Sequence, residues 1–323
     1  MFMAQKKVCV KVPASTANLG PGFDVLGMAL NLYAWIEMSP AEQTKIELVG
    51  DQLAGIPTDK TNLIYTVAQQ VFDKAGVNIP ELHIAMYSEI PLTRGLGSSA
   101  SAIVGALVAA NALIDHALDK QTLFEMATAI ETHPDNVGAS LYGGIVVTHW
   151  DGEHAQVLRI EPPQQLEVLV AVPDFQLSTE KAREVLPHLF SMQETVNNIG
   201  YSSLLVAALA GGHLQMIRHA MKDGLHQPFR AGLIPGMTQI LREATEHGAL
   251  GVALSGAGPT LLALVDRASD QKQQLEQFLA ETLRAQGVNA ALHWLEPDLQ
   301  GAHELTGYDQ NSTLFANIQH EVR

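Results

Sequence analysis

The stretch Pro91-Leu-Thr-Arg-Gly-Leu-Gly-Ser-Ser-Ala-Ser101 decides how this chain is read. Two glycines and three serines stand directly before a run of small apolar residues, Ala102 to Ile114, that predicts a buried helix. A glycine-rich loop opening into a helix offers converging backbone N–H groups and the positive end of the helix dipole, where phosphates are stabilised. An ordinary turn with a helix cap is the competing reading. Gly-x-Gly-x-x-Ala also resembles a degenerate dinucleotide fingerprint. A dinucleotide loop leaves its strand directly, however, and Pro91 separates these glycines from the strand-like Leu82–Ile90 segment. The Gly-Lys-Ser/Thr triplet of a Walker A loop is absent from the chain. The loop therefore favours a nucleotide triphosphate.

Composition bounds the remaining classes. A chain of 323 residues is long enough for a sizeable core and predicts two domains. Its 47% apolar content is that of an ordinary soluble globular protein. The longest apolar stretches fall short of the roughly 20 residues that span a bilayer, and Asn111 interrupts the best of them. No hydrophobic signal core stands behind Lys6 and Lys7. The single cysteine, Cys9, excludes an intramolecular disulfide and suits a reducing cytoplasm, and its place in a strand pattern makes it a packed thiol. A net charge of −15 argues against general nucleic-acid binding. A few local arginines can still reverse the field inside one cleft and admit an anionic substrate.

The periodicity alternates between strand and helix. Strands are predicted at 8–12, 34–38, 45–49, 82–87 and 145–148, and helices at 62–75, 99–118 and 121–132, with Asp59–Asn62 supplying cap residues. Composition shifts after Trp150, with a turn at Asp151-Gly-Glu and a polar break at Glu161-Pro-Pro-Gln-Gln. Beyond it come a strand (167–172), helices (179–189, 194–210, 214–221), two strands (251–254, 260–265), a helix (270–286) and a strand (290–294). This is an α+β order. No internal repeat or low-complexity tract is present, and residues from Tyr308 to Arg323 lack a pattern and predict loose packing.

Three further elements carry polar or glycine-rich chemistry. Ser255-Gly-Ala-Gly-Pro259 lies between two apolar runs and reads either as a tight connection or as a bare backbone that a ligand approaches closely. Glu131-Thr-His133-Pro-Asp135-Asn136 ends a predicted helix, where capping and turn chemistry compete with oxygen ligation of Mg²⁺ by Glu131. Pro13-Ala-Ser-Thr-Ala-Asn-Leu-Gly-Pro-Gly-Phe-Asp24 reads as a polar loop immediately after the first strand.

In this order, the Pro13–Asp24, Pro91–Ala100 and Ser255–Thr260 stretches resemble the three signature motifs of the GHMP kinases, which phosphorylate small alcohols and acids with ATP. Within the family, four stretches look most similar to members acting on L-homoserine: Ala17–Asp24, His133–Val137, Thr179–Pro187 and Pro228–Pro235. The likeness runs to about Leu295. It implies a two-domain GHMP kinase fold, with a ribosomal protein S5 domain 2-like ATP-binding domain over residues 1–160 and a ferredoxin-like domain over 161–323. The active site would lie between them, and O-phospho-L-homoserine would be made for threonine biosynthesis.

By the same resemblance ATP contacts Asn62 and the loop residues Pro91, Leu92, Thr93, Arg94, Gly95, Leu96, Gly97, Ser98, Ser99, Ala100 and Ser101. Ser99 and Glu131 hold Mg²⁺, and Thr132 stands where many relatives have glycine. Homoserine carries a carboxylate, an ammonium and a primary hydroxyl. Arg183 and Arg230 resemble the family's carboxylate clamp, a role that suits a guanidinium. Asp135 looks like the ammonium partner, with His133 and Thr179 alongside, and Asn18, Asp24 and Asn136 surround the reactive hydroxyl. Mevalonate-type relatives use an Asp base helped by a first-motif Lys, but Pro13–Thr16 holds no lysine, which implies catalysis by positioning and electrostatics. A homodimer is a further expectation, one that no residue pattern here carries. Kinases for mevalonate, sugars or shikimate, and a nucleotide-binding regulator without turnover, remain the alternatives.

Overall fold

Val8, Val10, Val12 and Ala14 alternate along the chain and all point into the interior, and this sets the first strand, β1 (Val8–Ala17). The computed structural model describes residues 6–307 and 312–321. After β1 come β2 (Leu26–Pro40), β3 (Lys45–Val49), α1 (Leu63–Ala75) and β4 (Leu82–Ser88). Next are α2 (Ser98–Leu113), α3 (Lys120–Glu131), α4 (Pro134–Tyr142), β5 (Ile145–Trp150) and β6 (Ala155–Ile160). The second half opens with β7 (Leu166–Pro173), α5 (Thr179–Glu184), α6 (Met192–Ala210), α7 (Ile217–Ala220), α8 (Gln227–Arg230) and α9 (Met237–Glu243). It continues through β8 (Gly251–Leu254), β9 (Leu261–Asp266), α10 (Lys272–Ala285) and β10 (Ala290–Leu295), and the chain closes with β11 (His303–Glu304) and α11 (Leu314–Glu321).

Two sheets result. In the first the order is β11-β1-β2-β4-β3, and β5 pairs with both β2 and β6. The 15-residue β2 serves two neighbours: Leu26–Met28 pair with β5, while Ala34–Pro40 pair with β4. The second sheet runs β10-β7-β9-β8, entirely antiparallel. Numbered within that half, the order is 4-1-3-2 with helices after the first and third strands, a ferredoxin-like arrangement. One apolar core joins the two: Val168 and Val170 of β7 and Leu205 of α6 belong to the cluster that contains Val10, Ile36 and Leu107.

Several elements differ from the sequence reading. The Pro13–Asp24 motif is not all loop, because β1 continues to Ala17 across a register shift between Pro13 and Ala14. A bulge there tolerates a residue with no N–H to donate. The helix predicted over 179–189 ends at Glu184, ahead of Pro187. The one predicted over 99–118 stops at Leu113, where Asp115 and His116 turn left-handed. Pro134 does not merely end a helix but begins α4 at its first position.

The end of the chain departs furthest. Residues after Leu295 leave the second sheet: Pro297 bridges to Leu30, and β11 adds to the edge of β1. Leu314 and Ile318 of α11 then cover Cys9, Trp35 and Ala85 on the outer face of the first sheet. Their four-residue spacing is the apolar face of a short amphipathic helix, where the sequence predicts loose packing. Residues 308–311 and 322–323 of that stretch lie outside the described residues.

α4 sits so close to β2 that Gly27 has no room for a side chain. A Cβ there would lie 2.2 Å from the Asp135 carbonyl oxygen and 3.2 Å from the Ala139 Cβ. Gly27→Ala must push the start of α4 away, at a cost of about 1–3 kcal/mol, so thermal melts should show Tm lowered by roughly 2–8 °C. An unchanged Tm would mean that this contact is soft.

Candidate active site

The Pro91–Ser101 loop is clamped from two sides. Gly97, at φ +69°, is the residue before α2, and a Cβ on it would lie 2.0 Å from the Ser15 hydroxyl of β1. From the other half, the Ser255 hydroxyl donates to the Gly95 carbonyl at 2.5 Å, and the Thr260 N–H donates to the Arg94 carbonyl at 3.3 Å. The loop thus presents the N-terminus of the 16-residue α2 outward, with Ser98 half-buried and Ser99 exposed beside it.

Not every residue expected to contact ATP presents its side chain there. The Arg94 guanidinium donates instead to three carbonyls: Pro173 at 2.9 Å, Asp174 at 2.8 Å and Leu92 at 3.3 Å. It ties the loop to the end of β7. Leu96 and Ala100 are core residues, and the Ser101 hydroxyl donates back to the Ser98 carbonyl. Asn62 is the N-cap of α1, where its side-chain oxygen accepts from the Ile64 N–H at 2.8 Å and its amide donates to the Pro57 carbonyl at 2.6 Å.

The residues expected at the substrate come together. Asn18, Asp24, His133, Asp135, Asn136, Thr179, Arg183 and Arg230 all line one crevice between the sheets, and Glu131 joins them. Sharp local geometry puts them there. Asn18, Asp24 and Thr132 adopt positive φ, a strain that clusters at this site. Thr132, in the left-handed position that ends α3, occupies a conformation that glycine takes without cost. The Asn18 side chain is a brace: its oxygen accepts from the Asp24 N–H at 3.0 Å, and its amide donates to the Gly256 carbonyl at 3.0 Å. Asn136 accepts from the Ser15 hydroxyl at 2.9 Å, which orients its side chain from the β1 side.

Charges meet across this crevice. Arg183 Nη2 lies 2.7 Å from Asp24 Oδ1, while the buried Arg183 Nε has no hydrogen-bond partner among the described residues. Arg230 is 1% exposed, and it donates from Nε to the Ala182 carbonyl and from Nη1 to the Gly256 carbonyl. Phe23 packs between the two arginines, each guanidinium carbon 5.3 Å from its ring centroid. Phe23, Ser15 and Gly256 all lie within the quoted motifs, but the sequence alone assigns none of them a role. Only the Gly-Phe-Asp spacing hinted at Phe23.

Beside the start of α2 the Ser99 hydroxyl donates to Glu131 Oε2 at 3.0 Å. Burial pushes the Glu131 carboxyl above its ordinary range, with Ser99 partly opposing the shift. A mostly buried carboxylate next to a hydroxyl is a donor set that a hard divalent cation suits, since Mg²⁺ uses one or two protein oxygens beside phosphates and water. Among the described residues no cluster of three or more acidic, His or Cys groups offers a complete metal site. The same search of described residues finds no helix long and apolar enough to cross a membrane.

Comparison with known proteins identifies the family. The family model for the GHMP kinases N terminal domain matches residues 62–144, and that for GHMP kinases C terminal matches 205–285. A homoserine kinase of Carboxydothermus hydrogenoformans is 42% identical over 302 residues, covering 93% of this chain and 98% of the relative. One from Deinococcus radiodurans is 44% identical over 280 residues, 87% of this chain and 91% of the relative. The chain belongs to the homoserine kinases of the GHMP kinase family. The crystal structure of homoserine kinase from Cytophaga hutchinsonii superposes with a TM-score of 0.85 at 26% identity, covering 94% of this chain and 99% of that one.

In this homoserine kinase family member the most perturbed acid is Asp135, 2% exposed at the second position of α4. Burial, and then the nearby Asp24 charge, push its carboxyl up to about 7, although the Asn136 N–H donates to it at 2.7 Å. Burial also lowers the His133 pKa, which the Asp24 charge partly restores, so the imidazole is neutral near pH 7. For Asp135 the linkage sign is fixed. Its folded pKa exceeds that of the unfolded chain, so stability present at low pH is lost as pH rises from about 4 through about 7. Asp135→Asn should therefore raise the Tm of the ligand-free protein by several degrees at pH 8 and change it little at pH 4. Calorimetry at the two pH values checks this, and an equal shift at both would remove the charge explanation.

Proposed function

We propose that this chain transfers the γ-phosphoryl group of ATP to the hydroxyl of L-homoserine, giving O-phospho-L-homoserine in threonine biosynthesis. The observation that carries the reading is the Asp24–Arg183 pair beside the unpartnered Arg183 Nε. An α-amino acid carries opposite charges on adjacent atoms, so its carboxylate can satisfy Arg183 and Arg230 while its ammonium turns toward Asp24 and Asp135. Asp135 is raised first by burial and then by the Asp24 charge, and a cation between the two acids relieves that second contribution. His133 and Thr179 then border the amino-acid head.

With the head fixed, the hydroxyl reaches toward Asn136 and the Pro91–Ser101 loop. Asn136 has its oxygen engaged by Ser15, which leaves its amide N–H groups to orient the hydroxyl oxygen. Gly95, Gly97, Ser98 and Ser99 hold the triphosphate at the start of α2. Ser99 and Glu131 would hold Mg²⁺, which when bound supplies charge neutralisation on the phosphates. A loose transition state needs little deprotonation of the nucleophile, so the hydroxyl proton passes late to the transferred phosphoryl oxygen. Asp24 is engaged with Arg183, so it acts as a binding charge and not as a general base. The reading takes 1–160 as the ATP-binding unit. It extends to a reducing cytoplasm, which the buried Cys9 thiol suits, and to a homodimer, which sedimentation checks.

A coupled ADP-release assay with MgATP tests the proposal. Turnover on L-homoserine should exceed that on mevalonate, galactose and shikimate by about 10²-fold or more. Asp24→Asn should act mainly on the KM for homoserine. Turnover confined to mevalonate or a sugar would overturn the substrate, and ATP binding without turnover on any of them would overturn the activity. A kcat loss of about 10⁴ with KM intact would make Asp24 the base.

A further inference from the structure

Arg230 is gripped by a histidine that lines no part of the crevice. His226 is 0% exposed and lies one helical turn ahead of Arg230, at the start of α8. Arg230 Nη1 is 3.2 Å from His226 Nδ1, and His226 Nε2 is 2.8 Å from the Gly20 carbonyl. These partners fix the tautomer. A guanidinium only donates, so Nδ1 must accept, and a carbonyl only accepts, so Nε2 must carry the proton. The ring stacks on Phe23 at 5.1 Å, and Phe23 in turn lies against both arginines. Asp223 holds the segment from beneath: its carboxylate accepts from the backbone N–H groups of Leu225, His226 and Gln227.

Resting on the homoserine reading above, we propose that His226 is a positioning residue for substrate specificity. It fixes the Arg230 guanidinium against the Gly20 turn so that Nη2 faces the substrate carboxylate. Arg230 Nε is taken by Ala182, and Nη1 is shared by His226 and Gly256, while Nη2 has no hydrogen-bond partner among the described residues. One imidazole thereby registers the first-motif turn, which carries Phe23 and Asp24, to the arginine from the second half. Without its acceptor, Nη1 loses one of two anchors and the guanidinium swings out of register with Arg183. The residue touches neither substrate nor ATP. Its contribution is carried through the carboxylate, so it discriminates between ligands that have one and ligands that do not.

The two ring nitrogens can be tested separately. Asparagine keeps an acceptor near the Nδ1 position and loses the donor to Gly20, whereas glutamine keeps a donor near Nε2 and loses the acceptor for Arg230. His226→Gln should raise the KM for L-homoserine about tenfold to a hundredfold. It should leave kcat/KM for 3-aminopropan-1-ol, which lacks the carboxylate, within about threefold. His226→Asn should stay within about threefold of the parent on homoserine. In an Arg230→Lys background His226→Gln should add nothing, because the interaction it removes is already gone. Equal losses on both substrates, equal losses for Asn and Gln, or additive losses in the Arg230→Lys background would each overturn the proposal. A parent enzyme inactive on homoserine would instead overturn the functional reading, and that outcome is distinct from all of these.

Discussion

Two guanidinium groups, one buried and one half-buried, are held at the seam between the sheets, and the surrounding structure makes that placement tolerable. A buried cation without partners is prohibitively costly, so most of its donors must find acceptors. Arg230 meets carbonyls from Ala182 and Gly256 and a neutral imidazole, and even so burial and the neighbouring Arg183 charge lower its pKa to about 10. That value leaves it cationic at neutral pH. Arg183 leans on Asp24, and Asp24 is set by the Asn18 brace. The acids Asp24, Asp135 and Asp223 balance the arginines, and burial, with the Asp24 charge second, holds Asp135 near its point of ionisation at neutral pH. Positive-φ residues, the packed Phe23 ring and the close approach at Gly27 all follow from bringing these groups together at one seam.

The same logic holds the Pro91–Ser101 loop. Its outward face stays clear for a ligand because its inward face is fully committed. Ser15, Ser255 and Thr260 take its backbone groups, and Arg94 anchors it to β7. A loop that must present N–H groups to an anion gains from being rigid beforehand, since little ordering is left for binding to impose.

How much of this was legible depended on range along the chain. Gly95 and Gly97 show in the sequence because close backbone approach demands glycine locally, whatever lies opposite. The eight residues that motif resemblance expects at the substrate lie far apart in the chain, and one crevice brings all of them together. Arg94 and Asn62 have side-chain partners that the motifs do not announce, for opposite reasons. The partners of Arg94 lie some 80 positions away at Pro173 and Asp174, which no local pattern reveals. Asn62 had a sufficient local explanation as a cap. His226 was invisible because its meaning lies in two partners, Gly20 and Arg230, and only one of them is near in sequence. The closing helix failed for a related reason: Leu314 and Ile318 make a convincing face only once Cys9 and Trp35 are opposite them.

That closing segment has a consequence for how the molecule is made. The first sheet takes β11 at its β1 edge and α11 over its outer face, so its earliest strand is completed by nearly the last residues. During synthesis β1 must wait for the whole second half to emerge, with one edge unpaired and an apolar face uncovered. Such waiting edges template association with other chains. The shared core adds to the delay, because β7 and α6 contribute to the cluster that β1 needs. Domains drawn on the chain as successive blocks therefore do not mature as successive units. A chain that ends before residue 303 therefore leaves one edge of β1 without its strand.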